Sequence, residues 1–234
     1  MKAMKWQNLG LSGNQLKIVA LIAMTCDHIG KMLLPQFAVL PIIGRLSFPI
    51  FAYMIAEGCV YTKSKKKYFL MMAGLALLCQ VVSFLALGSL YQCVLVTFSL
   101  SIGLIYLAEY AIEKRSILSY VYCVIALLAA VFVSETLPFI LQGTDYAIDY
   151  GLIGILLPVG IYLGRNKWEK ITVMSAVLIL LSMKLGGIQW YGLLAPMLMV
   201  LYNGQRGKVN LKYLFYIYYP LHLIGIYLIG LVVF

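Results

Sequence analysis

His28, Arg45 and His222 each stand inside a long apolar run, and Asp27 directly precedes the first histidine. These side chains suit proton movement and charge stabilisation. A neutral imidazole takes up or gives a proton close to physiological pH. A guanidinium holds a carboxylate, or the negative oxygen that develops when a carbonyl is attacked. Adjacent residues of a helix do not face each other, so Asp27 pairs with Lys31, one turn on, or with Arg45 across helices. On the last apolar run, Tyr218 and Tyr219 stand four and three residues before His222 and share its face, and Pro220 frees the Tyr216 carbonyl.

Those residues need helices that cross a lipid bilayer. The 234 residues are 63% hydrophobic and 11% charged, with a mean hydropathy of +0.96, an apolar excess that no small globule hides from water. This excludes a soluble enzyme, a nucleic-acid-binding domain, a disordered chain and a disulfide scaffold. The apolar runs lack two-residue alternation, so the fold class is all-α, a polytopic membrane helix bundle in one domain, 1–234. Nine transmembrane helices are expected, near 16–34, 38–60, 68–87, 92–112, 117–134, 149–164, 171–186, 188–202 and 213–234. Eight is the alternative, depending on whether Gly186-Gly187 is a turn or a break within a re-entrant element. The 135–147 stretch reads as a connector, a lid or a short interfacial helix.

Every second connector is basic. Lys2 and Lys5 precede the first span; Lys63, Lys65, Lys66 and Lys67 follow the second. Lys114 and Arg115, then Arg165, Lys167 and Lys170, then Arg206, Lys208 and Lys212 follow the fourth, sixth and eighth. Connectors 89–91, 135–147 and 186–188 carry neither Lys nor Arg. The positive-inside rule therefore puts the N-terminus and the basic connectors in the cytoplasm. The net charge of +10 is thus a matter of topology rather than of a polyanionic partner. From a helical rise of 1.5 Å per residue, His28 lies ~17 Å, Arg45 ~18 Å and His222 ~15 Å from the inner edge. Three polar groups from three spans share nearly one level.

Milder explanations exist for each group. Asp27 with Arg45 can be an ion pair that only fixes packing, and each histidine can donate to a carbonyl of a neighbouring helix. Two histidines on two helices can also ligate haem iron. Tyr213, Phe215 and Tyr216 fit an interfacial aromatic belt. Glu57 caps a helix, pairs with the lysine-rich loop, or takes part in chemistry. Asp145 and Asp149 attract a cationic acceptor or solvate their loop. The five cysteines, Cys26, Cys59, Cys79, Cys93 and Cys123, lack metal-site spacing and read as small buried residues. No metal is expected.

Five segments carry a resemblance: LKIVALIAMTCDHIG (16–30), IGRLSFPIFAYMIAEG (43–58) with Thr62 and Tyr68, DYGLIGILL (149–157), LYNGQRG (201–207) and LKYLFYIYYPLHLIGIYLI (211–229). In order and spacing the chain resembles the TraX family, membrane proteins associated with N-terminal acetylation of conjugative pilin. It departs from the family pattern at Cys93, where an Asn is usual, and at Met71 or Met72, where an Arg is usual; Gln80 and Gln92 are the polar residues nearby. The resemblance implies a cytoplasmic acetyl-CoA donor, histidine-dependent transfer and a peptide or pilin-like acceptor reached from the other side. On that basis His28, Asp27, Arg45 and His222 are the catalytic candidates. Tyr219, Tyr218, Asp149 and Glu57 would meet the acceptor or the acyl group, and Lys65, Lys66, Arg165 and Arg206 the CoA phosphates. A small transporter or channel, with intramembrane Asp, His and Arg as an ion or proton relay, is the alternative from another class; a structural membrane subunit is a third.

Overall fold

The computed structural model describes residues 10–208 and 211–233. The expectations for Lys2 and Lys5, and for the side chains of Lys212, Tyr213, Phe215 and Tyr216, lie outside the described residues. The described chain is helical, with isolated bridges but no strand. It divides into two compact units, Met1–Met54 with Ser182–Phe234, and Ile55–Leu181.

The first unit is organised by α1 (Gly13–Met32). Ser12 and Gln15 form a reciprocal capping box: the Gln15 N–H donates to Ser12 Oγ, and the Ser12 N–H donates to Gln15 Oε1 at 2.8 Å. Two orphan donors of the first turn are thereby satisfied. Helices α2 (Val39–Gly44) and α3 (Ser47–Tyr61) follow, α3 passing into the second unit at Ile55. Two glycines let α1 and α2 approach closely. A Cβ at Gly30 would lie 2.7 Å from the Pro41 ring, and one at Gly44 would overlap the Asp27 side chain.

The expected continuous second span is broken at Arg45 and Leu46. Pro49 lacks the N–H that an unbroken helix would give to the Arg45 carbonyl, so α2 stops and α3 starts afresh. Together they still make a 23-residue apolar element, Val39–Tyr61. The unit is completed from the C-terminal half of the chain. Gly186 and Gly187 both take positive φ, 66° and 53°, and the chain turns there. After them come a 3-10 segment (Gly187–Leu193), then α10 (Leu194–Val200) and α11 (Lys212–Val233). The expected eighth span is therefore a 3-10 segment and a short α-helix in series.

The intervening helices build the second unit: α4 (Lys65–Leu87), α5 (Val94–Lys114), α6 (Ile117–Val131), α7 (Leu137–Ile140), α8 (Gly151–Leu163) and α9 (Lys167–Leu185), the last passing into the first unit at Ser182. Ser64 caps α4, and Gly88 closes it in the left-handed conformation at φ 65°. Helix α5 is central, packed on α4, α6 and α8. Ser101 donates to the Ile155 carbonyl at 2.7 Å, and Thr97 to the Asp149 carbonyl at 2.7 Å. A π-helical turn, Phe132–Thr136, joins α6 to α7, so the expected fifth span runs on to Ile140 and takes in the start of the 135–147 connector. Tyr150 at the N-cap of α8 supplies no side-chain cap; Glu135 of the π turn accepts the Leu152 N–H instead, at 3.1 Å.

Helices α4 and α6 turn Leu77, Leu78, Leu85, Leu118, Ile125 and Leu128 outward, a surface that suits lipid rather than water. Val39–Tyr61, Lys65–Leu87, Val94–Lys114 and Ile117–Ile140 are long and apolar enough to cross a membrane; Gly151–Leu163, Gly187–Val200 and Ile217–Val232 are apolar but shorter.

Candidate functional site

The intramembrane residues singled out above meet within the first unit in two adjoining networks, both anchored on α1. One is ionic. Asp27, 8% exposed, accepts from Arg45 Nη2 through Oδ1 and from Lys31 Nζ through Oδ2, the latter at 2.6 Å. Both partners proposed for Asp27 are thus its partners at once. The missing side chain of Gly44 makes room for this carboxylate. Arg45 sits at the break between α2 and α3, where its Nε donates to the Pro41 carbonyl at 3.4 Å and its Nη1 to Gln189 Oε1 at 3.2 Å. A buried charge is tolerable only when paired and hydrogen-bonded in this way.

The second network is a pair of imidazoles. His222 Nε2 lies 2.9 Å from His28 Nδ1, and His222 Nδ1 lies 2.9 Å from the Tyr218 carbonyl oxygen. Hydrogen-bond logic assigns the protons. A carbonyl oxygen only accepts, so His222 Nδ1 carries hydrogen and, in the neutral ring, Nε2 accepts. His28 Nδ1 must then donate to it. Neutral His28 therefore keeps its lone pair on Nε2, the atom a general base needs.

The tyrosines hold the second imidazole in place. The Tyr218 ring stacks on His222 with centroids 5.3 Å apart and an interplanar angle of 11°, and Tyr219 meets it edge-on at 5.6 Å. The Tyr218 hydroxyl is in turn bonded to Thr25 Oγ1 at 2.7 Å. One turn of α1 thus reaches α11 twice, through Thr25 and through His28.

The remaining candidates fall elsewhere. Glu57 accepts from Lys170 at 2.7 Å in a mostly buried pair within the second unit. Asp149 accepts from the Tyr91 hydroxyl at 2.8 Å. Asp145 accepts from Ser89 Oγ at 2.5 Å and the Leu90 N–H at 2.8 Å, bonds that hold its carboxyl below the usual aspartate range, the Ser89 bond foremost. Lys65 pairs with Glu109 at 2.7 Å; Lys66 and Arg165 are exposed, also in the second unit, and Arg206 is exposed in the first. Among the described residues no cluster of His, Cys, Asp or Glu has the makings of a metal site.

Sequence reasoning missed Gln189, Thr25 and the two packing glycines. Gln189 had a signal: it is an amide just inside the apolar stretch 188–202, where any polar side chain calls for a partner. Gly30 and Gly44 stand in the segments that carry the family resemblance, but their packing role had no signal, because a glycine in an apolar helix looks the same whether or not another helix leans on it.

The chain matches the family described as TraX protein over residues 12–230. It is 25% identical over 246 aligned positions to the probable fimbrial assembly protein FimC, serogroup H1, of Dichelobacter nodosus, covering 93% of this chain and 95% of that one. Over 52 residues, 22% of this chain and 21% of the relative, it is 42% identical to an uncharacterized protein of Rickettsia prowazekii (strain Madrid E). No solved structure matches the chain.

Proposed function

Because the chain belongs to the TraX family, we propose that it is an integral membrane acetyltransferase. It moves an acetyl group from cytoplasmic acetyl-CoA to the N-terminal amine of a membrane-embedded or exported pilin-like peptide. The acceptor class is supported by the fimbrial assembly protein to which the chain is similar over nearly its whole length. The N-terminus and the basic connectors face the cytoplasm, where Arg206, in the same unit as His28, attracts the phosphates of CoA.

The observation that carries the mechanism is the hydrogen-bonded order Tyr218 carbonyl, His222, His28, with Nε2 of His28 at its end. The acceptor nitrogen attacks the thioester carbonyl carbon, a C–N bond forms, and the carbonyl π pair moves onto oxygen. His28 Nε2 takes the proton that the nitrogen loses. Arg45, held by Asp27, stabilises the negative oxygen. The carbonyl then re-forms, the C–S bond breaks, and the CoA thiolate receives the proton from His28. An acetylated amine and free CoA thiol leave. His222 is a positioning residue in this scheme, and Tyr218 and Tyr219 fix its ring.

The test is transfer of label from radiolabelled acetyl-CoA to a pilin-like peptide with a free N-terminus, in membranes holding the full chain. Label is expected with the wild type, and about 10²–10⁴-fold less with His28→Ala. Purified wild type that binds no CoA would overturn the proposal. The same imidazole order also suits a proton relay in a small transporter or channel. That alternative predicts proton or ion flux in proteoliposomes without any acyl-CoA.

A further inference from the structure

Gln189 belongs to the 3-10 segment Gly187–Leu193 and is 3% exposed. Its Oε1 accepts from Arg45 Nη1 at 3.2 Å, which fixes the two ends of the amide, since a guanidinium can only donate. The other end, Nε2, is buried and has no hydrogen-bond partner among the described residues. Folded proteins rarely leave such a donor unmet without a reason. The Arg45 guanidinium, which has five N–H groups, gives bonds to Asp27, Gln189 and the Pro41 carbonyl. Beside the amide, Gly192 leaves space. A Cβ there would sit 3.6 Å from Gln189 Nε2 and 3.5 Å from the Arg45 carbonyl oxygen, in ordinary contact with both.

We propose that Gln189 is a catalytic residue whose Nε2–H donates to the thioester oxygen of the acyl donor, and to the oxyanion that this oxygen becomes. The assignment rests on the acetyltransferase reading above. As the amine attacks, the carbonyl π pair passes to oxygen and the amide hydrogen bond strengthens; when the C–S bond breaks, the carbonyl returns and the bond relaxes. A donor already in position costs no reorganisation at that moment. Besides its own attraction for the oxyanion, Arg45 supports this donor: by bonding Oε1 it polarises the amide and makes Nε2–H a better donor. A glutamine held by an arginine, itself held by an aspartate, is a supported donor rather than a loose one.

The experiment uses the full chain in proteoliposomes with acetyl-CoA and a free-amine peptide, comparing wild type, Gln189→Glu and Gln189→Met. The glutamate keeps an acceptor for Arg45 while removing the NH₂ group. Both variants are expected to lower kcat by about 10²–10³-fold, with a far smaller change in KM for acetyl-CoA. Infrared spectra of bound, carbonyl-¹³C acetyl-CoA supply a signature that a merely structural role does not move. The carbonyl stretch is expected at lower wavenumber on the wild type than in solution, and to return to the solution position on both variants. Should both Gln189 variants fail to insert, Gly192→Ala, whose methyl reaches the amide without overlap, is expected to lower kcat at an unchanged amount of membrane protein. Wild-type kcat in the Gln189 variants, or a carbonyl band identical in all proteins, overturns the assignment of Gln189 alone. A wild type that binds no acetyl-CoA overturns the proposed function and this assignment with it.

Discussion

His222→Phe separates the two imidazoles while keeping the ring that Tyr218 and Tyr219 pack against. It removes two hydrogen bonds of 2.9 Å, one to the Tyr218 carbonyl and one from His28 Nδ1. The first loss touches only α11. The second leaves the His28 N–H without its acceptor, so the ring is free to rotate or to carry its proton on Nε2 instead. A neutral hydrogen bond contributes about 0.5–1.5 kcal/mol net, and a stranded buried donor costs about 1–3 kcal/mol. His28 is half-buried, which makes about 1–2 kcal/mol the fitting range. At 1.36 kcal/mol per factor of ten, acetyl transfer falls about 5- to 30-fold. That is well short of the loss expected for His28→Ala, which removes the proposed base itself. The double variant should be no slower than His28→Ala, because the second change acts only through the first residue.

The assay has a direct structural counterpart. The chain has two histidines, so ¹⁵N-histidine labelling reports on this pair and nothing else. At a pH where both rings are neutral, each should carry its proton on Nδ1 in the wild type, and His28 should lose that preference in His222→Phe. A wild-type His28 protonated on Nε2 would refute the proton assignment. A His222→Phe rate as low as that of His28→Ala would refute the division of roles and make His222 the base.

Among the described residues, Arg45→Leu leaves the buried Asp27 carboxylate with Lys31, whose side chain is 53% exposed. The expected loss is about 2–4 kcal/mol, read as a lower Tm of the detergent-solubilised protein, and Asp27→Leu in the same chain should recover part of it. Gly44→Ala and Gly30→Ala each overlap a neighbour and should cost about 1–3 kcal/mol. Gly74→Ala, in α4 with nothing within 4 Å of the added carbon, should be neutral or stabilising by up to about 1 kcal/mol; equal effects at all three would show that α1 and α2 do not cross as described. Asp145, its carboxyl held low by Ser89 and Leu90, ties residues 89–91 to its own loop above the usual aspartate range. Because its folded pKa is the depressed one, that tie is complete above the usual range and is lost as pH falls below it through the folded value. Hydrogen exchange of the Leu90 amide should rise there relative to an unbonded reference amide, and Asp145→Asn should remove the pH dependence.

The apolar runs located the long helices because lipid forces the backbone to satisfy itself within each segment, whereas α7 falls in the stretch read as a connector and the second and eighth runs are each divided. The periodicity rule that an aspartate cannot face the next residue also held: Asp27 reaches α2 while His28 reaches α11. The break at Arg45 escaped notice, because Pro49 lies three residues into the new helix and a proline in the first turn leaves a hydropathy profile unchanged. Equally hidden was the bond between His28 and His222, residues 194 positions apart. Depth along two helices can bring two side chains to one level, but rotation about each helix axis decides whether they meet, and that is set by close contacts at residues such as Gly30 and Gly44. Gln189 was legible as a polar side chain in an apolar stretch, but its partner was hidden for a related reason. Its 3-10 segment is positioned by two consecutive left-handed glycines, and single-residue dihedrals of that kind are not written in composition.

Asp27 and His28 show how one helix can keep a fixed charge and a mobile proton apart at adjacent positions. About 100° of rotation separates neighbouring residues on a helix, enough to send one side chain toward α2 and the other toward α11. On the α2 side, Asp27 is bound by two cations and so is not the group that orients the imidazole. On the α11 side, the imidazole is oriented by another imidazole, which ends on a carbonyl oxygen. A carboxylate in that orienting place would favour a charged His28; a neutral ring backed by a carbonyl leaves it ready to accept a proton. If this separation is what the adjacent pair achieves, exchanging the two residues, as Asp27→His with His28→Asp, should abolish transfer, although composition, net charge and span hydropathy are all unchanged. Retained transfer in the exchanged chain would mean that the two networks are interchangeable, and the division of labour proposed for them would fail.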